Sequence, residues 1–464
     1  MTGSADPFEL LGPALARAGG KSWFVGGALR DRLNGRTVTD VDIAAEGDSR
    51  HVARAVHDAL GGDIFSLSDQ FGTWRVLTPL GFQVDVSQLR GGSIESDLAE
   101  RDFTVNAIAE AATGGGPIDP FGGQSDLAAR RLKAVSDRVF TDDPLRLLRL
   151  ARLSTTLELE VEPETEAAAR AHAALADQPS AERIFDELRA LVGSQAPLAG
   201  IERLSSLGLL EVVLPELAAL QGIEQTKYHH KDVYGHTLEV LERTIELETS
   251  GYEFFGESAP ALKELMAEDF ADGLSRAGAL RWAALLHDIA KPETRVVHEG
   301  GRTGFPGHDK LGAQVVREIC RRLHTSERFA NFISALTREH MRLGFLVRQQ
   351  PISRRELYRY LTACEPVEVE VCVLSVADRL STRGHKHEQS IPPHIELALK
   401  FTAEAIEHRR NPLVPLLRGD ELAAALGIEP GPKLGELLAE IAAAQFAGEI
   451  TDGAEAIELA RAAL

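Results

Sequence analysis

Two stretches of this sequence gather residues that can do chemistry. In the first, Trp23-Phe24-Val25 runs into Gly26-Gly27, a segment with Arg30, Asp31 and Arg32 follows, and Asp40-Val41-Asp42 comes after Gly35. The pattern predicts strand, glycine turn, helix, strand. Glycines let backbone N–H groups approach a phosphate, and a helix start favours an anion. Residues two apart on a strand share a face, so Asp40 and Asp42 project together and could hold a divalent cation. A phosphate cradle beside two carboxylates suits phosphoryl transfer, which is mostly positioning and charge neutralisation. Asp85 alternates with Phe82, Val84 and Val86 on a predicted strand; it is either a third carboxylate or a solvent-facing residue. Asp102 and Asn106 lie four apart on a helix expected over residues 98–112. They could read a sugar hydroxyl or simply cap helices. Asp143 and Arg146 flank Pro144 at a helix start. They match the acceptors and donors of a base edge, or form an intrahelical ion pair.

The second stretch spans residues 228–380. His236 follows Tyr228-His229-His230, His287-Asp288 ends the apolar run Leu285-Leu286, and His308, His340 and Asp378 come later. Ligands scattered along helices can converge inside a bundle on one or two divalent metals. A single His on an apolar helix is usually a satisfied core residue. An Asp beside it is harder to explain by packing, because a buried unpaired carboxylate is costly.

Elements must position these groups. A helix is expected over 7–19 and another over 49–60. Strands are expected at Ile64–Leu67, Trp74–Leu77 and Phe82–Val86, with turns at Asp69-Gln70-Phe71-Gly72 and Pro79-Leu80-Gly81. Asp142-Asp143-Pro144 opens a helix, and helical spacing then runs to the end, with Gly208 and Pro215 as breaks. The fold class is therefore α+β: a small mixed sheet with helices, then an all-helical remainder. The expected divisions are residues 1–140, 141–222, 223–395 and 396–464. A chain of 464 residues, 44% hydrophobic and 26% charged, has ample length for such cores. Cys320, Cys364 and Cys372 lie far from any CxxC spacing and are expected to be reduced core thiols. With no signal-peptide pattern and no apolar run long enough to span a bilayer, the expected location is the cytoplasm, away from membranes. The net charge of −20 by itself argues against a nucleic-acid partner. Basic residues nevertheless cluster at Arg130/Arg131/Lys133, Arg146/Arg149/Arg152, Arg354/Arg355/Arg359 and Arg409/Arg410, either as solvated faces or as sites.

Five motifs in order make residues 20–220 resemble the bacterial-type (class II) tRNA nucleotidyltransferases and the related poly(A) polymerases. They are Gly26-Gly27 through Asp42, Arg101-Asp102-Phe103-Thr104-Val105-Asn106-Ala107, Asp119-Pro120-Phe121-Gly122-Gly123, Asp142-Asp143-Pro144-Leu145-Arg146, and Glu182-Arg183-Ile184 with Glu187-Leu188. The resemblance implies a polymerase-beta-like head and a helical neck. Asp40 and Asp42 would hold Mg²⁺ for attack of an RNA 3′-hydroxyl on a nucleotide α-phosphate. Gly26, Gly27, Arg30 and Arg101 would lie near the nucleotide, Asp102 and Asn106 near its ribose. Asp143 and Arg146, with Arg149 and Arg152 behind them, would select CTP or ATP for addition to tRNA. Glu100 stands where the family usually has Arg, and Gly91 to Glu100 form a short connector, the mark of half-enzymes that add only CC. Acidic Glu46 and Asp48 after the aspartate pair count against poly(A) synthesis. The later segment resembles the HD-superfamily phosphohydrolases through His236, His287, Asp288 and Asp378, with His308 and His340 at further ligand positions of two-metal members. This implies an HD metal site of unspecified divalent ion and a phosphohydrolase activity. The alternatives are a CC-adding half-enzyme, a poly(A) polymerase, or an HD phosphohydrolase with a non-catalytic RNA-binding head. The tail, residues 396–464, is expected to contact the tRNA elbow or a second subunit.

Overall fold

The computed structural model describes residues 6–68, 72–225, 230–299, 303–382 and 387–464. The expected turn residues Asp69, Gln70 and Phe71 lie outside these, as do Tyr228, His229 and residues 383–386. The chain divides into two compact units, Met1–Leu191 with Glu202–Val213, and Val192–Ile201 with Leu214–Leu464.

In the first unit, α1 (Pro7–Ala18) starts at Asp6, whose carboxylate accepts the Phe8 N–H and so satisfies a donor at the helix start. Strand β1 (Ser22–Val25), helix α2 (Gly27–Leu33), strand β2 (Asp40–Ala45) and helix α3 (Ser49–Leu60) follow, matching the strand–turn–helix–strand pattern. Next come β3 (Asp63–Ser68), β4 (Thr73–Leu77), β5 (Gln83–Gln88), α4 (Ile94–Ala99), β6 (Ala109–Ala111) and β7 (Pro117–Ile118). The strands form one sheet in the order β3-β4-β5-β2-β1-β6-β7. Within this sheet, among the described residues, only β2 and β5 pair in parallel, with Asp42 opposite Asp85.

Alternation along β2 decides which way the acids point. Val41 and Ile43 pack with Phe24, Val84 and Val86 against Phe8, Leu11 and Leu15 of α1 and Val52 and Val56 of α3. Asp40 and Asp42 take the opposite face. Slipping β2 by one residue would exchange the two sets. Each fully buried Val or Ile is worth roughly 1.5–3 kcal/mol, so the core fixes the register that presents the carboxylates.

The helix expected over residues 98–112 does not form. Helix α4 ends at Ala99, Thr104–Asn106 make one 3₁₀ turn, and Ala109–Ala111 form strand β6. Phe103, Val105, Ala107, Ile108 and Ala109 are all buried, which leaves no polar face for an amphipathic helix. Pairing with β1 (Trp23 opposite Ala111, Val25 opposite Ala109) supplies the backbone partners, so tertiary context overrides the helical preference of the alanines.

The chain then continues through α5 (Gly123–Ala128), α6 (Val139–Asp142), α7 (Leu145–Thr156), α8 (Pro163–Ala171), α9 (Ala181–Val192), α10 (Pro197–Ser206), α11 (Leu210–Val213) and α12 (Pro215–Ala218). The second unit is mainly helical. It contains α13 (Val233–Thr249), α14 (Ala259–Met266), α15 (Arg276–Leu286), α16 (His308–Arg322), α17 (Glu327–Glu339), α18 (Arg342–Leu346), α19 (Arg354–Cys364), α20 (Glu368–Leu380) and α21 (His387–Arg410). Three last helices, α22 (Gly419–Leu426), α23 (Pro432–Phe446) and α24 (Gly453–Ala462), enclose a small core of their own around Leu422, Leu437, Ile441 and Ala456. Cys320, Cys364 and Cys372 are buried and form no disulfide. No described helix is long and apolar enough to cross a membrane.

Candidate active sites

A cavity of about 400 Å³ in the first unit is lined by Gly26, Gly27, Arg30, Asp42, Arg101, Asp102, Asn106, Asp143, Arg146, Arg149 and Arg152. The structure thus gathers eleven of the thirteen predicted residues of the head site. Gly26 has φ +73°, and a Cβ there would come within 2.6 Å of Arg101 Nη1 and 3.3 Å of Asp42 Oδ2. Only glycine permits both that backbone and that approach. Asp42 is pushed up to about 6, first by burial; Arg101 opposes the shift, and Asp85 and Asp40 add to it. A carboxylate held at this disadvantage is one that a cation would relieve.

Asp40 and Asp85 do not line the cavity. Asp40 is exposed, and accepts hydrogen bonds from Thr39 Oγ1 at 2.9 Å and from Gln83 Nε2. Asp85 lies beside Asp42, but Arg75 grips both its oxygens, Nε and Nη2 each at 2.7 Å. Asp85 is therefore neither free nor simply solvent-facing. It acts on Asp42 through its charge.

Behind the cavity runs a chain of charge-assisted bonds. Arg30 donates to Asp31 at 2.9 and 2.8 Å and to Asn106 Oδ1 at 2.6 Å. Asn106 Nδ2 donates to Asp102 Oδ1 at 2.9 Å, and Arg149 Nε donates to Asp102 Oδ2 at 2.8 Å. Asp102 and Asn106 thus meet as their spacing suggested, across a 3₁₀ turn rather than along an α-helix. Burial would raise Asp102, but Arg149, Asn106 and the Phe103 N–H together hold it down at about 2. Glu187 of α9, 8% exposed, ties in Arg149 at 3.4 Å and Arg152 at 2.6 Å.

Asp143 and Arg146 do not pair with each other. Asp143 meets Arg183 Nη2 at 2.8 Å, while Arg146 donates to the backbone carbonyls of Val139 and Glu100. Asp143–Arg183 is a solvent-accessible pair worth at most about 1 kcal/mol, so an incoming base can displace it cheaply. The short connector is also tied down. The Asp97 carboxylate, 4% exposed, accepts the Arg90 N–H at 3.2 Å and Arg101 Nη2 at 3.0 Å. Asp97, Arg183 and Glu187 were absent from the predicted site. The signals were present: Asp97 precedes Arg101 by four residues, and Arg183 and Glu187 stand in the last motif.

Of the basic clusters, only Arg146/Arg149/Arg152 faces this cavity. Arg131 pairs with Asp126, Arg130 with Glu158 and Lys133 with Glu162. Arg355 and Arg359 bind Glu440 of α23, and Arg354 lies over the Phe446 ring. Arg409 is held by Glu368 and Glu370.

In the second unit the six predicted ligands converge. His236, His287 and Asp378 form one group and Asp288, His308 and His340 another, the ligand atoms of each lying within 4.8 Å of one another. Asp288 joins them. Its Oδ2 faces His287 Nε2 at 3.1 Å and His236 Nε2 at 3.7 Å, and its Oδ1 faces His308 Nε2 at 3.2 Å and His340 Nε2 at 3.7 Å. Lys291 Nζ lies 2.6 Å from Oδ2. Three rings share one device. His287, His308 and His340 each place Nδ1 at 2.6–2.9 Å from the carbonyl three residues back. That carbonyl can only accept, so Nδ1 carries a proton and Nε2 is the nitrogen left for a metal, as second-shell partners arrange for metal-bound histidines; without one, burial would lower His287 but Asp288 draws it up. Burial first, then His287, push His340 down to about 4. Asp288 lies well below the usual carboxylate range: burial would raise it, but His287 and Lys291 prevail. Neutral imidazoles and ionised carboxylates are the forms that bind divalent metals, and this donor set fits such ions.

Residues 22–133 match the family described as the Poly A polymerase head domain, 158–221 the probable RNA and SrmB-binding site of polymerase A, and 233–383 the HD domain. The class is a nucleotidyltransferase that carries an HD domain. Over 438 residues the chain is 37% identical to the A-adding tRNA nucleotidyltransferase of Deinococcus radiodurans, covering 93% of each. It is 32% identical to the CC-adding tRNA nucleotidyltransferase of Thermus thermophilus, covering 93% of this chain and 91% of that one. Its fold is similar to the Thermotoga maritima CCA-adding enzyme complexed with tRNA, at a TM-score of 0.60 and 21% identity, covering 99% of this chain and 97% of that one. The chain belongs to the bacterial-type tRNA nucleotidyltransferase family.

Proposed function

We propose that this protein adds C and/or A to the 3′ end of tRNA, taking CTP or ATP and releasing pyrophosphate, in the cytoplasm. The observation that carries this reading is the cavity in which Asp42, the Asp102–Asn106 pair and Asp143 with Arg146 line one nucleotide-sized space. Asp40 and Asp42 would hold Mg²⁺, which when bound neutralises phosphate charge and activates the 3′-hydroxyl. Gly26 and Gly27 give the triphosphate backbone access, with Arg101 beside them. Asp102 and Asn106 orient the ribose. Asp143 offers an acceptor to the exocyclic amine that cytosine and adenine share, and Arg146 donates to the neighbouring ring nitrogen. Uracil and guanine present an oxygen where that amine would be, facing Asp143 with a second acceptor. The four segments 1–140, 141–222, 223–395 and 396–464 serve as head, neck, HD domain and tail in this reading. The six clustered residues would hold one divalent metal ion or two, which when bound would supply phosphoester hydrolysis.

Within this activity we favour a half-enzyme. The connector from Gly91 to Glu100 is short and fastened at both ends by Asp97, which supports a site set for one nucleotide, with CC addition as the first reading. A addition is the second, favoured by the 37% identity to an A-adding relative. The test supplies Mg²⁺ with tRNA lacking CCA, or lacking only A, and CTP and ATP separately. Two CTP additions and then a stop support the first reading, and one ATP on tRNA ending in CC supports the second. Long ATP tails on generic RNA, or phosphoesterase activity with no incorporation, would overturn both.

A further inference from the structure

The sheet face that carries Asp42 continues beyond the nucleotide cavity. Asp42 of β2 lies opposite Asp85 of β5, Asp85 opposite Arg75 of β4, and Arg75 opposite Phe65 of β3. In the neighbouring row Asp40 lies opposite Gln83, and Gln83 opposite Leu77. Residues directly opposite each other share a face, so Phe65 and Leu77 extend the aspartate face to the edge strand. Ile64, Trp74 and Val76 take the other face and pack on the core. Phe65, Leu67, Leu77 and Leu80, the last in the turn from β4 to β5, are 41% to 56% exposed. They are four of the eleven large apolar side chains that stand exposed among the described residues, so the patch is concentrated here. An apolar edge strand of this kind calls for a partner. Between the patch and Asp85 stands Arg75. Two of its five N–H donors go to Asp85, which leaves three for another acceptor.

The order of strands says what approaches over this face. No residue of β3 or β4 lines the nucleotide cavity. Strand β1, with its glycine turn, flanks β2 on one side, and β5, β4 and β3 lie on the other. With the triphosphate on the glycine side, in-line displacement brings the attacking hydroxyl from the opposite side of the α-phosphate, which is the side of β5, β4 and β3. The spacing of strands puts Arg75 roughly 10 Å and Phe65 roughly 14 Å from Asp42, within the span of the last nucleotides of an RNA end.

We infer that this face positions the 3′ end of the acceptor RNA, with Phe65 stacked on one of its last bases and Arg75 on a phosphate behind the 3′-hydroxyl. An exposed ring stacks on any base, and a guanidinium with free donors binds phosphate. Both are positioning residues, and the inference rests on the tRNA-end reading above.

The test uses the full chain with Mg²⁺, the tRNA that the wild type extends, and the same tRNA made abasic at its last two positions. Loss of one stacked base predicts that Phe65→Ala raises KM for the intact tRNA about tenfold, with KM for CTP or ATP unchanged. Phe65→Trp should restore it, and the abasic tRNA should bind wild type and Phe65→Ala alike. Arg75→Ala should lower the slope of log affinity for tRNA against log salt by about 0.7, one phosphate contact on a single strand, and Arg75→Lys should recover part of it. An unchanged tRNA KM in Phe65→Ala, or an equal rise for intact and abasic tRNA, would overturn the inference, as would an unchanged salt slope in Arg75→Ala. If Phe65→Ala instead dissolves a dimer and leaves the tRNA KM alone, the face joins two copies and the inference falls. If the wild type extends no tRNA, the tRNA-end reading fails, and equilibrium binding of tRNA ending in CC decides. Weaker binding by Phe65→Ala, restored in Phe65→Trp, then supports the RNA-end site, and unchanged binding overturns it.

Discussion

The head cavity and the HD cluster both assemble acids where divalent cations would sit, by opposite means. In the head, Asp40 is exposed and Asp42 half-buried on one strand face, and Asp42 is pushed up to about 6 by burial and neighbouring acids. Recognition groups there rest on temporary partners, Asp143 on Arg183 and Arg146 on backbone carbonyls. In the HD cluster the four histidines and Asp288 are at most 4% exposed, and three rings are fixed by the carbonyls three residues before them. The head is organised to exchange ligands at every turnover. The cluster is built so that a metal bound there would be retained. The same donor chemistry thus serves a transient or a resident ion, according to how firmly the protein occupies its own side chains.

The sharpest way to break this contrast is to disable each centre alone. Asp42→Ala is expected to lower nucleotide incorporation on the order of 10³-fold while leaving metal-dependent phosphoesterase activity intact. His287→Ala should do the reverse, with bound metal per chain, read by elemental analysis, falling in parallel and phosphoesterase activity dropping at least about a hundredfold. If either variant lost both activities while folded, the centres would not be independent. Asp143→Ala tests recognition. Its preference for CTP or ATP over UTP should shrink by about 1–3 kcal/mol in relative kcat/KM, with phosphoesterase activity unmoved.

A smaller effect follows from the charge of Asp42. Its folded-state pKa of about 6 exceeds the unfolded value near 3.8, so ionisation opposes folding above about pH 6. In EDTA at pH 7.5, Asp42→Asn should therefore melt above wild type, with the gap closing as the pH falls from about 6 towards 3.8. Equal melting curves across that range would remove the argument that this carboxylate is strained without a cation. The smallest expected change is in Asp97→Asn. It keeps the shape but weakens the hold on Arg101, and a severalfold rise in nucleotide KM would link the connector to the cavity.

What could be read from sequence depended on periodicity. The register of β2 was legible because Val41 and Ile43 alternate with acids, and the HD ligands because His287-Asp288 directly follows an apolar helix. The stretch after Glu100 was not. Asp102 and Asn106 are four apart, a helical spacing, yet the chain there closes a 3₁₀ turn and joins β1, and no local pattern announces that a distant strand will supply the backbone partners. Which acids are occupied was equally hidden. Arg75 claims Asp85 through the cross-strand register of β4 and β5, and Glu187 reaches Arg149 from 38 residues away.

That last contact bears on how such enzymes can be recombined. Arg149 touches the Asp102 carboxylate on one side and Glu187 of α9 on the other. A head transplanted between relatives with a junction near residue 140 would leave Asp102 buried without its guanidinium. The exchangeable piece therefore extends through Glu187, and substitutions in α9 belong to the same inherited unit as those around Asp102.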